Sequence, residues 1–90
     1  MEIQVKEASV TAVKDGVELG EMTFVHAGNH YVIDHTIVYD AARGLGVGKK
    51  LVAAFVEHAR ENGWKVLLEC SFAQAVFEKN SDFADVLYMK

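Results

Sequence analysis

Arg43-Gly44-Leu45-Gly46-Val47-Gly48-Lys49-Lys50 sets three alternating glycines between an arginine and a pair of lysines. Glycines at that density let successive backbone N–H groups turn inward together, and a helix starting there adds a partial positive charge. The chemistry on offer is capture of an anion, a pyrophosphate above all, with Arg43, Lys49 and Lys50 adding charge-assisted contacts. Spacing excludes two common nucleotide loops. A P-loop needs a glycine five positions before its Gly-Lys pair and a hydroxyl after the lysine, and those places hold Arg43 and Lys50. The dinucleotide fingerprint needs its third glycine where Lys49 stands. A flexible turn with two solvated lysines is the alternative.

Two further residues could do chemistry. Cys70 follows the apolar run Trp64 to Leu68, and a cysteine there is either a nucleophile or an inert buried thiol. His35 lies in the run before the glycine loop, as a base for a thiol or an amine, or as a histidine satisfied at the sheet surface. His26, His30 and His58 have no metal-ligand spacing with one another or with Cys70, so no metal site is expected. Glu69 alternates with Cys70 and should face the opposite side of its strand.

The elements that must position these residues are legible as changes of period. Ile3 and Val5, then Val10 to Val13, read as strands, with Asp15-Gly16 as a hairpin turn. Beyond it the apolar parity shifts across Gly20, suggesting a bulge, and Gly28-Asn29 supplies the next turn. In His30 to Tyr39 a period of two puts Tyr31, Ile33, His35, Ile37 and Tyr39 on one face. After the loop the period becomes helical through Leu51, Val52, Phe55, Val56 and Ala59, until Asn62-Gly63 ends it. A short strand follows, then a helix over Ala73 to Lys79 and a last turn or helix opened by Ser81. Phe72, Val76 and Phe77 read chiefly as core.

Size and charge narrow the function classes. Ninety residues make one domain, residues 1–90, with room for a surface groove but not for a deep cavity. A formal net charge of −4 argues against a nucleic-acid partner, so an anion site must be local. There is no apolar run long enough for a membrane and no secretory signal, and the lone cysteine suits a reducing compartment, so a cytoplasmic protein is expected.

Arg43-x-x-Gly46-x-Gly48, after a strand and opening a helix, resembles the Gln/Arg-x-x-Gly-x-Gly/Ala signature of the GNAT acetyltransferase superfamily. The stretch Asp34 to Phe72, with His35-Thr36 before the loop and Cys70 after the next strand, is similar to its very small acetyl-CoA-binding subfamily. The resemblance implies a minimal GNAT-like α/β (α+β) fold: an antiparallel meander, the loop and helix, a strand splayed from its neighbour, and a C-terminal helix. It implies acetyl-CoA (coenzyme A) in the split and transfer of acetyl to an amine acceptor, with Cys70 and His35 as catalytic residues. The strand backbone at Ile37 and Val38 would bond the pantetheine arm. Gly44, Leu45, Gly46, Val47, Gly48 and Lys49 would hold the pyrophosphate, flanked by Arg43 and Lys50, with Ser71 and Phe72 near the cofactor. Phe72 could pack on pantetheine or adenine, and Lys79 could reach a ribose phosphate. A monomer or weak homodimer is expected. The chain departs from the subfamily at Ile37, where many members are acidic, and at Ser71, where proline is common. A non-catalytic or partner-dependent coenzyme A-binding module is the other reading.

Overall fold

The computed structural model describes residues 1–88, apart from the side chain of Ala41. Strands β1 (Glu2–Val5), β2 (Ser9–Lys14), β3 (Val17–Ala27) and β4 (His30–Val38) form an antiparallel meander. Helix α1 (Val47–Asn62) then crosses over to β5 (Val66–Leu68), which pairs with β4 in parallel. Helix α2 (Ser71–Lys79) and a 3-10 turn (Ser81–Val86) complete the fold. The sheet order β1-β2-β3-β4-β5 follows the chain order.

Local chemistry explains the joints. Asp15 and Gly16 both take positive φ, 52° and 80°, as a two-residue turn of the right twist for a hairpin demands. Gly63 caps α1 in the left-handed region at φ 70°, donating back to the helix end, where a side chain would be strained. Between these points α1 turns Val47, Leu51, Val52, Phe55, Val56 and Ala59 inward. They meet Val10, Ala12, Met22, Phe24 and Ile33 from the sheet and Phe77, Phe83 and Val86 from the tail in one core. Gly20 lets α1 approach: a Cβ there would lie 2.8 Å from the Ile37 carbonyl oxygen and 3.1 Å from Val47 Cγ1.

The far end of α1 is tied to the tail by charge. Arg60 donates to both carboxylate oxygens of Asp85, at 2.7 and 2.8 Å, and to the Asp82 carbonyl at 3.0 Å. Lys65 Nζ donates to the Asp85 carbonyl at 2.7 Å. The Arg60 hydrogen bonds hold the Asp85 carboxyl below its ordinary value.

Two bulges set the faces of the sheet. Ala12 opposes Gly20 while Val13 opposes Glu18, leaving Leu19 as the extra residue on β3, beside the Gly20 position where the parity of the sequence shifts. Thr23 opposes His35 while Phe24 opposes Ile33, leaving Asp34 as the extra residue on β4. This second bulge overturns the single face expected for β4. Ile33 shares the core side with Phe24, but beyond Asp34 it is Thr36 and Val38, opposite Met22 and Gly20, that continue that side. His35 and Ile37 face away from it, and both are exposed.

Candidate functional site

The sheet splits at Ile33. Pairing of β4 with β5 ends at the Ile33–Leu68 partners, and the Ile33 carbonyl accepts the N–H groups of both Glu69 (3.0 Å) and Cys70 (3.1 Å). From there β5 turns away into α2, while β4 runs on to Val38 with its outer edge unpaired. On the inner side the Tyr39 N–H donates to the Leu19 carbonyl at 3.0 Å. The Ile37 carbonyl lies on that same side, close against Gly20. Backbone direction alternates along a strand, so the N–H and C=O groups of Thr36 and Val38 point to the open edge. The expectation of Ile37 and Val38 as a backbone pair is therefore corrected by one residue. Val38 and Thr36 present their backbone groups to the open edge, and Ile37 turns back to β3 because the Asp34 bulge has shifted the alternation.

The glycine loop closes one end of this edge. Gly44 and Gly46 take positive φ, 85° and 70°, and Gly46 stands as the cap residue before α1. The Arg43 and Leu45 N–H groups are used internally, donating to the Asp40 and Ala42 carbonyls at 3.2 Å each. The first helical bond runs from the Lys50 N–H to the Gly46 carbonyl at 3.1 Å. Among the described residues, the amides of Gly44, Gly46, Val47, Gly48 and Lys49 have no backbone acceptor. A row of unsatisfied donors at a helix N-terminus is the physical requirement for seating an anion.

Loop and strand edge share one groove of about 460 Å³, lined by Thr36, Val38, Ala42, Arg43, Gly44, Gly46, Val47, Gly48, Lys49 and Phe72. Arg43 rests on the Asp40 carboxylate at 3.0 Å, both groups lying in solvent. Among the described residues neither Lys49 nor Lys50 has a carboxylate partner, so their charge is available to a ligand. Leu45 and Lys50 are exposed beyond the groove lining, as is Ser71, the first residue of α2. Phe72 departs from its expected place in the core. It is 42% exposed, and its ring lies so close over Gly48 that a Cβ there would come within 2.6 Å of ring atom Cε1. Val76 and Phe77 are buried as expected.

Cys70 precedes α2 as its cap residue, half-buried, and its Sγ donates to Thr36 Oγ1 at 3.4 Å. The thiol thus meets the open edge of β4 through Thr36, a residue that the sequence marked only as the partner of a His-Thr pair. His35 does not join them. It projects from the opposite face of β4, a correction with the same cause as that for Ile37. Among the described residues no three His, Cys, Asp or Glu side chains converge as a metal site would require, and no helix is long and apolar enough to cross a membrane.

A strand splayed beyond a bulge, a glycine loop of unpaired amides and a helix behind it form a recurrent architecture, and comparison with known proteins identifies it. The model of the GCN5-related N-acetyl-transferase family matches residues 8–86. The chain belongs to this family. It is 38% identical to a GCN5-like protein from Staphylococcus aureus solved by NMR, with a TM-score of 0.73 over 99% of this chain and 89% of that one. The fold is shared with the crystal structure of a ribosomal-protein-alanine N-acetyltransferase from Brucella melitensis biovar Abortus 2308. That match has 23% identity and a TM-score of 0.67, over 80% of this chain and 58% of that one. A nourseothricin acetyltransferase aligns at 28% identity and a TM-score of 0.56, over 67% of this chain and 38% of that one. No curated protein matches the chain. The N-acetyltransferase chain thus spans only part of the length of these last two structural relatives.

Proposed function

We propose that the chain binds acetyl-CoA in the groove between β4 and the glycine loop and transfers its acetyl group to an amine. The observation that carries this reading is the convergence of two kinds of unpaired backbone donor on one groove. The amides of Gly44, Gly46, Val47, Gly48 and Lys49 suit a pyrophosphate, and the open edge at Thr36 and Val38 suits the amide groups of a pantetheine arm. Family membership supports the same cofactor. Bound acetyl-CoA supplies the acetyl group already activated as a thioester.

The residues of the chain then divide the work. Val38 and Thr36 orient the extended arm by strand-like hydrogen bonds, which carry its far end toward Cys70. Cys70 is the proposed nucleophile. Its sulfur gives up its proton, bonds to the acetyl carbon and releases the coenzyme thiol, which leaves with a proton; an amine then takes the acetyl group from the sulfur and loses a proton. The contact of its Sγ with Thr36 Oγ1 at the open edge of β4 supports this role. His35, on the other face of β4, does not meet the thiol.

Both parts have direct tests. The thermal midpoint should rise with acetyl-CoA or CoA and not with ATP or NAD, since a ligand of the native state stabilises by mass action; a response shared by all four, or absent with the coenzyme A compounds, would overturn the cofactor. Intact mass after incubation with acetyl-CoA should show an acetyl adduct on the parent chain that is lost in Cys70→Ala. An adduct that survives the substitution, or no adduct under any condition, removes Cys70 from the pathway and leaves direct transfer.

A further inference from the structure

A groove of about 460 Å³ lies away from the glycine loop and is lined by Glu7, Ala8, Phe24, Val25, His26 and Tyr31. It shares no lining residue with the groove at the loop. Tyr31 stands near the start of β4 and Val38 at its end, so at about 3.3 Å per residue the two grooves are roughly 20 Å apart.

The aromatic wall of this groove is fixed in advance. The Tyr31 ring stacks on His26 at 4.6 Å and 12° and on Trp64 at 4.0 Å and 22°, while Phe24 meets it edge-on at 6.0 Å. Phe24 and Trp64 pack in turn on the buried Phe55, which ties the wall to the core. The turn between β1 and β2 forms the remaining border and is itself pinned. The Lys6 N–H donates to the Ser9 carbonyl at 2.7 Å, and the Phe24 N–H to the Ala8 carbonyl at 3.1 Å. That turn brings in Glu7, and the lining holds no lysine or arginine. Among the described residues Glu7 has no ion-pair partner. Aromatic faces attract cations, and a carboxylate beside them adds charge and two acceptor oxygens. A planar cation satisfies both, since its plane lies along a ring while two of its N–H groups match the carboxylate. A tetrahedral ammonium matches the charge but not the plane.

We propose that this groove is a second binding site, separate from the acetyl-CoA groove, for a guanidinium or amidinium group. Glu7 pairs with the cation, and His26 and Tyr31 carry its plane. The assignment does not depend on the acetyl-CoA reading.

Backbone amide NMR of the full labelled chain, titrated in turn with benzamidine, its neutral counterpart benzamide and the tetrahedral cation benzylamine, tests it. Benzamidine should shift the amides of Glu7, Ala8, Val25 and His26 and leave Gly44 to Lys49 unmoved. It should bind about tenfold more tightly than benzamide, the size of one charge-assisted contact, and more tightly than benzylamine. Glu7→Gln, an exposed turn substitution, should lower benzamidine affinity to that of benzamide and leave benzamide unchanged, whereas His26→Ala should weaken both. Tighter binding of Nα-acetylarginine methylamide than of methylguanidine assigns the group to an arginine of a protein partner, and equal binding to a free small molecule. Benzamide or benzylamine binding as tightly as benzamidine, a benzamidine affinity unchanged in Glu7→Gln, or shifts absent from the groove overturn the proposal.

Discussion

Replacing Phe55 by alanine is expected to lower the unfolding free energy by about 3–5 kcal/mol, the usual cost of removing a large aromatic side chain from a packed core. Phe55 is fully buried at the centre of α1, with its ring 4.6 Å from that of Phe24 and 6.2 Å from that of Trp64. Phe24 is held by β3, distant in sequence, and Trp64 by the chain beyond the Gly63 cap, so the cavity left behind cannot close by a shift of α1 alone. A domain of this size has a total stability on the order of 5–15 kcal/mol, so the loss is a large fraction of it. Urea unfolding should show a lower midpoint with little change of slope. Val25→Ala, on an exposed site of β3, should stay within about 0.5 kcal/mol of the parent. A loss below about 1 kcal/mol for Phe55→Ala would contradict the core described here.

The second large effect concerns binding and not folding. Gly48→Asp should abolish the rise in thermal midpoint with acetyl-CoA, corresponding to a fall in affinity of about a hundredfold or more, while leaving the unliganded midpoint close to the parent's. The backbone of Gly48 has no positive φ, and an acidic residue in the first turn of α1 suits the positive end of the helix, so the helix itself tolerates the change. Phe72 is exposed enough to swing aside from the new Cβ. The same carboxylate then occupies the row of amides and repels a pyrophosphate at their focus. Losing two charge-assisted contacts at roughly 1.5–3 kcal/mol each accounts for the expected size. Retention of the acetyl-CoA response by a folded Gly48→Asp chain would move the anion site away from this loop.

The sequence was most legible where local chemistry decides. Asp15-Gly16, Gly63 and the apolar stripe of α1 each carry their structure within a few residues, because turn sterics, cap sterics and helical period act at that range. The glycine loop was legible as a turn opening a helix for the same reason. The bulge at Asp34 was not, since an uninterrupted alternation from Tyr31 to Tyr39 conceals which residue the neighbouring strand leaves unpaired. That one extra residue turns His35 and Ile37 away from the open edge and brings in Thr36. The Cys70–Thr36 contact and the Phe72 ring over Gly48 each join elements far apart in the chain. The motif displays the glycine at position 48 but not the ring that lies over it.

We propose one acetyl-CoA site, formed by the amides of the glycine loop together with the open edge of β4. Titration of the isotopically labelled chain with acetyl-CoA, followed by backbone amide NMR, tests it residue by residue. The largest shifts are predicted at Gly44, Gly46, Val47, Gly48 and Lys49, accompanied by Thr36 and Val38, with β1 and the hairpin at Asp15-Gly16 unaffected. Shifts centred elsewhere, or confined to the loop with none along β4, would contradict it.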